Sequence, residues 1–307
     1  MELFYDQYCE YLMRKSSDST TPIAAFCLCF AMYALTGFLL TACALTPGPI
    51  AGALSESRDQ RSIAAVEAFR SDPDNAVLAL DAARSLFVLV DGIVQQALLD
   101  ELRALPSPDV DELLAADRVL PAQVRDRVVT LATTGAEAAQ AAVTVLADAP
   151  GLGAGQAAAC VDAQLHLALH LSFLAWANGP VASLMSGHAG RISKAMDAAI
   201  ALDPEFDHCA PLRLKGRFLA RAPWPVGDQL AARKLLTRAA QSAPTPIHHL
   251  FLGDLLYELS ERDIAVQQWL LCIVRWPACG CLLRMVSGVS ARSLDDHCGY
   301  TARRADR

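Results

Sequence analysis

From about residue 59 onward, apolar residues recur three and four positions apart and almost never alternate with a period of two. That pattern predicts helices, each with one buried stripe, and no sheet. "DQRSIAAVEAFRSDPDN" predicts a helix that stops at Asp72-Pro73, because the residue before a proline is driven out of the helical region. "NAVLALDAARSLFVLVDGIVQQALLDELRAL" predicts one long apolar helix or two, and "AQVRDRVVTLATTGAEAAQAAVTVLAD" an amphipathic one. Residues 59–148 are thus helical by period but irregular as repeats. "PGLGAGQ", Pro150 to Gln156, reads as a join.

The second half is more regular. In "HHLFLGDLLYELSERDIAVQQWLLCIVRWP", Leu252-Gly253 take the Leu-Gly positions of the 34-residue tetratricopeptide (TPR) pattern, and Ala265, Trp269, Cys272 and Pro277 fall where small, aromatic, small and proline are expected. The pattern is mechanical: Gly and Ala let two antiparallel helices approach, the aromatic fills the gap between them, and Pro ends the second helix. The preceding unit repeats the plan with Gly216, Ala232, Leu236, Ala239 and Pro244. It carries about four extra residues in "APWPVGDQ", between the helices, where an insertion costs little and where repeat proteins often place binding groups. Before it, "RISKAMDAAIALDP" fits a second helix paired with "VDAQLHLALHLSFLAWANG". The expected fold is all-α: TPR-like helical hairpins over 160–277 behind an irregular helical half, within a domain spanning 59–283. After Leu283 the periodicity ends, and 284–307 reads as a disordered tail.

Ahead of the helices, Ile23 to Leu45 contains no Asp, Glu, Lys or Arg, and Arg14 and Lys15 precede it. The run is long enough to cross a bilayer, and it also has the order of parts of a secretory signal. Leu40-Thr41-Ala42-Cys43 resembles the bacterial lipobox, in which small residues flank the scissile bond and a cysteine thiol carries the lipid. The expectation is a signal peptide over 1–42, with Met13 as the natural start, lipidation of Cys43 and a linker over 43–58; an uncleaved anchor is the alternative. Ala44 follows the cysteine, which in the lipoprotein class resembles outer-membrane sorting.

Composition narrows the partners. The chain is 53% hydrophobic and 7% aromatic, with a net charge of −7; lacking a basic stripe with interleaved aromatics, it is not expected to bind nucleic acid. Six cysteines lie beyond Cys43, namely Cys160, Cys209, Cys272, Cys279, Cys281 and Cys298. They read as small buried hydrophobes more than as a disulfide framework.

Around Leu202-Asp203-Pro204, Pro211, Arg213, Gly216 and Pro225-Val226-Gly227-Asp228 the chain resembles the TatT family, TPR-containing lipoproteins associated with TRAP (tripartite ATP-independent periplasmic) transporters. The likeness runs over roughly residues 40 to 275, and His208-Cys209-Ala210 stands where the family often has glycines. It implies a non-catalytic accessory protein facing the periplasm beside a solute-binding protein, held to the membrane by its lipid, assembled as a homotrimer and handling an apolar or organic-acid ligand. A general scaffold for envelope assembly is the rival reading, and an envelope hydrolase the rival among enzymes.

Candidate chemistry is sparse. His166 and His170 are four apart, a spacing able to hold a metal, but no third ligand matches, so packing is expected and no metal or cofactor. There is no G-x-S-x-G, and "GLGAGQ" lacks the Lys of a phosphate loop. Trp176, Trp224, Arg213 and Arg217 are the better candidates, since an aromatic in an inter-helix loop and arginines on the next helix suit an anionic, partly apolar ligand or a partner; Asp228 belongs to the same insertion.

Overall fold

A computed structural model describes residues 49–104, 111, 114, 120–148 and 153–275. The lipidation site Cys43, the signal over 1–42, Pro277 and the tail over 284–307 lie outside the described residues, as do Cys279, Cys281 and Cys298. Among the described residues these α-helices follow one another: α1 (Pro49–Ser71), α2 (Ala76–Ala104), α3 (Arg125–Ala147), α4 (Ala154–Asn178), α5 (Pro180–Met185), α6 (His188–Leu202), α7 (Phe206–Arg221), α8 (Gln229–Ser242), α9 (Pro246–Glu258) and α10 (Arg262–Arg275). A short 3₁₀ turn, Ala122–Val124, leads into α3. No strand occurs among the described residues, and the chain is all-α. α1 begins at Pro49, within the stretch read as a linker over 43–58.

Each helix packs mainly on its neighbours in the chain, α1 on α2, α2 on α3, α3 on α4, α4 on α6, then α7 on α8, α8 on α9 and α9 on α10. The first break follows local chemistry. Asn75 caps α2 by accepting hydrogen bonds from the amides of Val77 and Leu78 at 3.1 and 3.3 Å, just past Pro73. The apolar run after it forms one helix, not two. Small residues make the bundle tight: Ala82, Ala83, Ala132, Ala138, Ala139 and Ala168 are buried between α2, α3 and α4. α4 is long and apolar enough over Gly155–Asn178 to cross a membrane, and its burial between α3 and α6 accounts for that apolarity.

The hairpins α7–α8 and α9–α10 close over glycines. A Cβ on Gly216 would lie 2.7 Å from Cγ of Leu236, and one on Gly253 would lie 2.6 Å from the indole of Trp269. Ala232, Leu236, Ala239, Ala265 and Cys272 are buried on the facing helices. Pro246 opens α9 at its first turn, where a missing amide hydrogen costs nothing, and Thr245 and His248 form a reciprocal cap there.

The start of α7 is irregular. Asp207, His208 and Cys209 all adopt left-handed backbone, with φ of 42°, 55° and 62°. The regular helix therefore runs from about Ala210, with Pro211 tolerated because it sits in the first true turn. Of these, His208 and Cys209 stand where the resemblance noted above leads one to expect glycine.

Candidate functional site

A cavity of about 1090 Å³ opens between α4, α5, α6 and α7, roofed by the α7–α8 loop. Trp176, Ile192, Met196, Leu214 and Phe218 give it apolar walls. Three guanidinium groups border it, from Arg125, Arg217 and Arg221, against one carboxylate, Glu258. Such a space, apolar with a few charged groups converging on it, is the ordinary form of a small-molecule site.

The arginines differ in what holds them. Arg217 donates to Oδ2 of Asp254 at 2.9 Å and stacks over the Phe251 ring at 4.4 Å. Arg221 donates to Oε1 of Glu258 at 2.6 Å. Asp254 is buried and also accepts from the indole Nε1–H of Trp269 at 3.1 Å. These pairs therefore stitch α7 to α9, with the exchange of partners matched by the four-residue spacing on both helices. Arg125, at the start of α3, is exposed and forms no ion pair among the described residues, which leaves its charge available to a ligand.

Trp176 supplies a second unused group. It sits near the end of α4, partly buried, and its indole Nε1–H is shielded from solvent without a hydrogen-bond acceptor. An orphaned donor of this kind carries a cost of about 1–3 kcal/mol that an acceptor atom on a bound molecule would relieve.

Of the remaining sequence candidates, Trp224 borders the same cavity and is 89% exposed, so it does not fold back to fill the core. The loop holding it is tight: the amides of Val226 and Gly227 both donate to the Pro223 carbonyl at 3.0 Å. A Cβ on Gly227 would lie 2.0 Å from the Ala222 carbonyl oxygen, so only glycine fits there. Asp228 has a structural task, capping α8 by accepting from the Ala231 amide at 2.9 Å. Arg213 does not reach the cavity lining; it donates to Nε2 of His248 at 3.3 Å across the α7–α9 contact. The structure thus brings Trp176, Arg217 and Trp224 to one cavity and sets Arg213 and Asp228 to work in the scaffold.

The histidines have separate partners. His166 Nδ1 lies 3.0 Å from the Asp162 carboxylate, to which Arg84 also donates. Burial pushes the Asp162 carboxyl up, but His166 and Arg84 together outweigh it and hold it below its ordinary value. His170 is fully buried, its Nε2 2.9 Å from the Ala83 carbonyl oxygen and its ring packed on Gly135; burial lowers its pKa to about 4. Among the described residues no three His, Cys, Asp or Glu side chains are grouped as a metal site requires. Cys160, Cys209 and Cys272 are free thiols.

Two residues of the site escape a reading of the sequence. Arg125 lies far from Trp176 in the chain and meets it only through the packing of α3 on α4. Arg221 had a local signal, as the third member of the series Arg213, Arg217, Arg221 at four-residue spacing. No known family model matches this chain, and no curated protein matches it either.

Proposed function

We propose that this chain is a non-catalytic, lipid-tethered accessory protein of the bacterial envelope that binds an amphipathic organic anion in the cavity beside Trp176 and works with a TRAP-type solute-binding protein in its uptake. The observation that carries the reading is the cavity itself: about 1090 Å³, walled by apolar side chains, with Arg125, which has no ion pair among the described residues, and the orphaned indole donor of Trp176 at its edge. An apolar body fits the walls, and a carboxylate fits the two donors. The proposal assigns the site to binding and not to turnover.

The TPR reading of the second half is part of the proposal, and register supports it. Gly253 meets Trp269 sixteen residues on, and Gly216 meets Leu236 twenty residues on; the difference of four is the length of the extra loop that carries Trp224. The same contact thus recurs once the insertion is discounted, as a repeated hairpin requires. Lipidation of Cys43, the periplasmic location, outer-membrane sorting and the homotrimer rest on the lipobox-like residues and the TatT resemblance.

The test is capture of partners by the mature, tethered chain from an envelope extract. Recovery of a solute-binding protein of the TRAP type is the expected result. Recovery of envelope-assembly machinery in its place would establish the scaffold reading, and a hydrolytic activity abolished by one side-chain change without unfolding would establish an enzyme.

A further inference from the structure

We infer that α5 and the α7–α8 loop form a surface that lies on an anionic lipid bilayer, with the cavity mouth turned toward the acyl chains. Four large apolar side chains are left in solvent here: Val181 is 72% exposed, Leu184 53%, Met185 85% and Trp224 89%. They come from two places far apart in sequence, yet Val181, Leu184 and Trp224 border one cavity. Single exposed apolar residues are ordinary, but a group of them ringing an opening marks a surface that is covered in use.

The charges around the group select what covers it. The chain as a whole carries −7, yet from Ala163 to Met196 there is no Asp or Glu. Within that acid-free stretch Arg191 and Lys194, at the start of α6, are exposed and have no carboxylate partner among the described residues. Arg125, likewise without an ion pair among the described residues, adds a third cation at the cavity edge. Glu258, the carboxylate on the cavity wall, is taken up by Arg221. Apolar side chains that project at a cavity edge shared with Arg125, with a tryptophan among them, match the boundary between acyl chains and anionic headgroups: the apolar groups enter, the indole sits at the interface and the cation meets phosphates.

The inference uses the same cavity mouth as the proposed function but does not depend on what the cavity binds or on Cys43. The experiment keeps these apart. The full chain is bound to vesicles of phosphatidylcholine, with or without phosphatidylglycerol, brominated on the acyl chains; flotation reports attachment through the N-terminal segment, and tryptophan quenching reports contact of the face. The apolar run from Ile23 to Leu45 contains no tryptophan, so it adds no signal. Wild type should be quenched on phosphatidylglycerol-containing vesicles, and Trp224→Phe should lose most of that quenching while floating equally. Leu184→Asp/Met185→Asp should also lose it with an unchanged melting temperature, since both side chains are exposed. Quenching equal in wild type and Trp224→Phe, or unaffected by the double substitution, would overturn the assignment. Quenching independent of phosphatidylglycerol would overturn the part given to Arg125.

Discussion

The Gly253 backbone and the Trp269 indole are in direct contact, so close that a Cβ on Gly253 would stand 2.6 Å from the ring. Trp269 cannot swing away: it is buried, its Nε1–H is bound to Asp254 at 3.1 Å, and Tyr257 lies against it at 5.5 Å between ring centroids. The α9–α10 hairpin is therefore closed at its tightest point by the absence of a side chain.

Gly253→Leu should overpack this contact. A glycine removed from a helix interior recovers about 1 kcal/mol of propensity, but forcing a side chain into a filled contact costs roughly 1–3 kcal/mol and a leucine sits at the upper end, so the net effect is destabilising. Urea denaturation should show a lower midpoint with an unchanged slope. A midpoint equal to wild type would mean that α10 does not close on α9 as described.

Arg217→Ala and Trp224→Ala should separate scaffold from surface. Arg217 leaves Asp254 buried and short of its main cation, a loss on the order of 3 kcal/mol. Trp224 is exposed, and its truncation should change stability by no more than about 0.5 kcal/mol. Thermal melts of the two single variants check the contrast; equal destabilisation would contradict it.

His208→Gly should stabilise the fold. His208 is exposed and held at φ 55°, ψ 47°, a conformation that costs an ordinary residue about 1–2 kcal/mol and glycine very little. Part of that gain is lost to the freer unfolded chain, leaving roughly 1 kcal/mol. The measurement is the urea midpoint, which should rise.

Stability should fall as pH drops from about 6.5 toward 4. His170 and His248 are buried, and both have their pKa lowered to about 4, His170 by burial and His248 by burial and then the charge of Arg213. Between 6.5 and 4 the unfolded chain binds protons that the folded chain refuses, so each histidine contributes stability that is present above pH 6.5, is lost progressively below it, and changes no further below about 4. His170→Gln should flatten the slope of unfolding free energy against pH across that window. An unchanged slope would show that His170 is protonated in the fold.

The sequence was most legible where one residue's size decides a contact. Gly216, Gly253, Ala265 and Trp269 are read correctly because two helices joined by a short turn must meet at fixed offsets, and an insertion shifts the offset by its own length. The stop at Asp72-Pro73 is equally local, since proline acts on its neighbour. Arg213 and Asp228 stand among the binding candidates because a charge near an insertion looks the same in one dimension whether it faces a ligand or a helix end; the fold adds that Arg213 meets His248 and that Asp228 caps α8. Arg125 was invisible because nothing near it in sequence marks the end of α4 that it faces. The left-handed turn at Asp207–Cys209 was not legible because no glycine marks it.

The central claim, that the cavity beside Trp176 takes an amphipathic anion, is tested most directly by titrating the protein calorimetrically with decanoate and with decanol, in wild type and in Arg125→Ala. The two probes share an apolar chain and differ in the charged head. The account predicts that wild type binds decanoate at least about tenfold more tightly than decanol, the scale of one desolvated charge contact, and that Arg125→Ala removes the difference while leaving decanol binding unchanged. Equal binding of the two probes by wild type, or a preference for decanoate that survives Arg125→Ala, would contradict it.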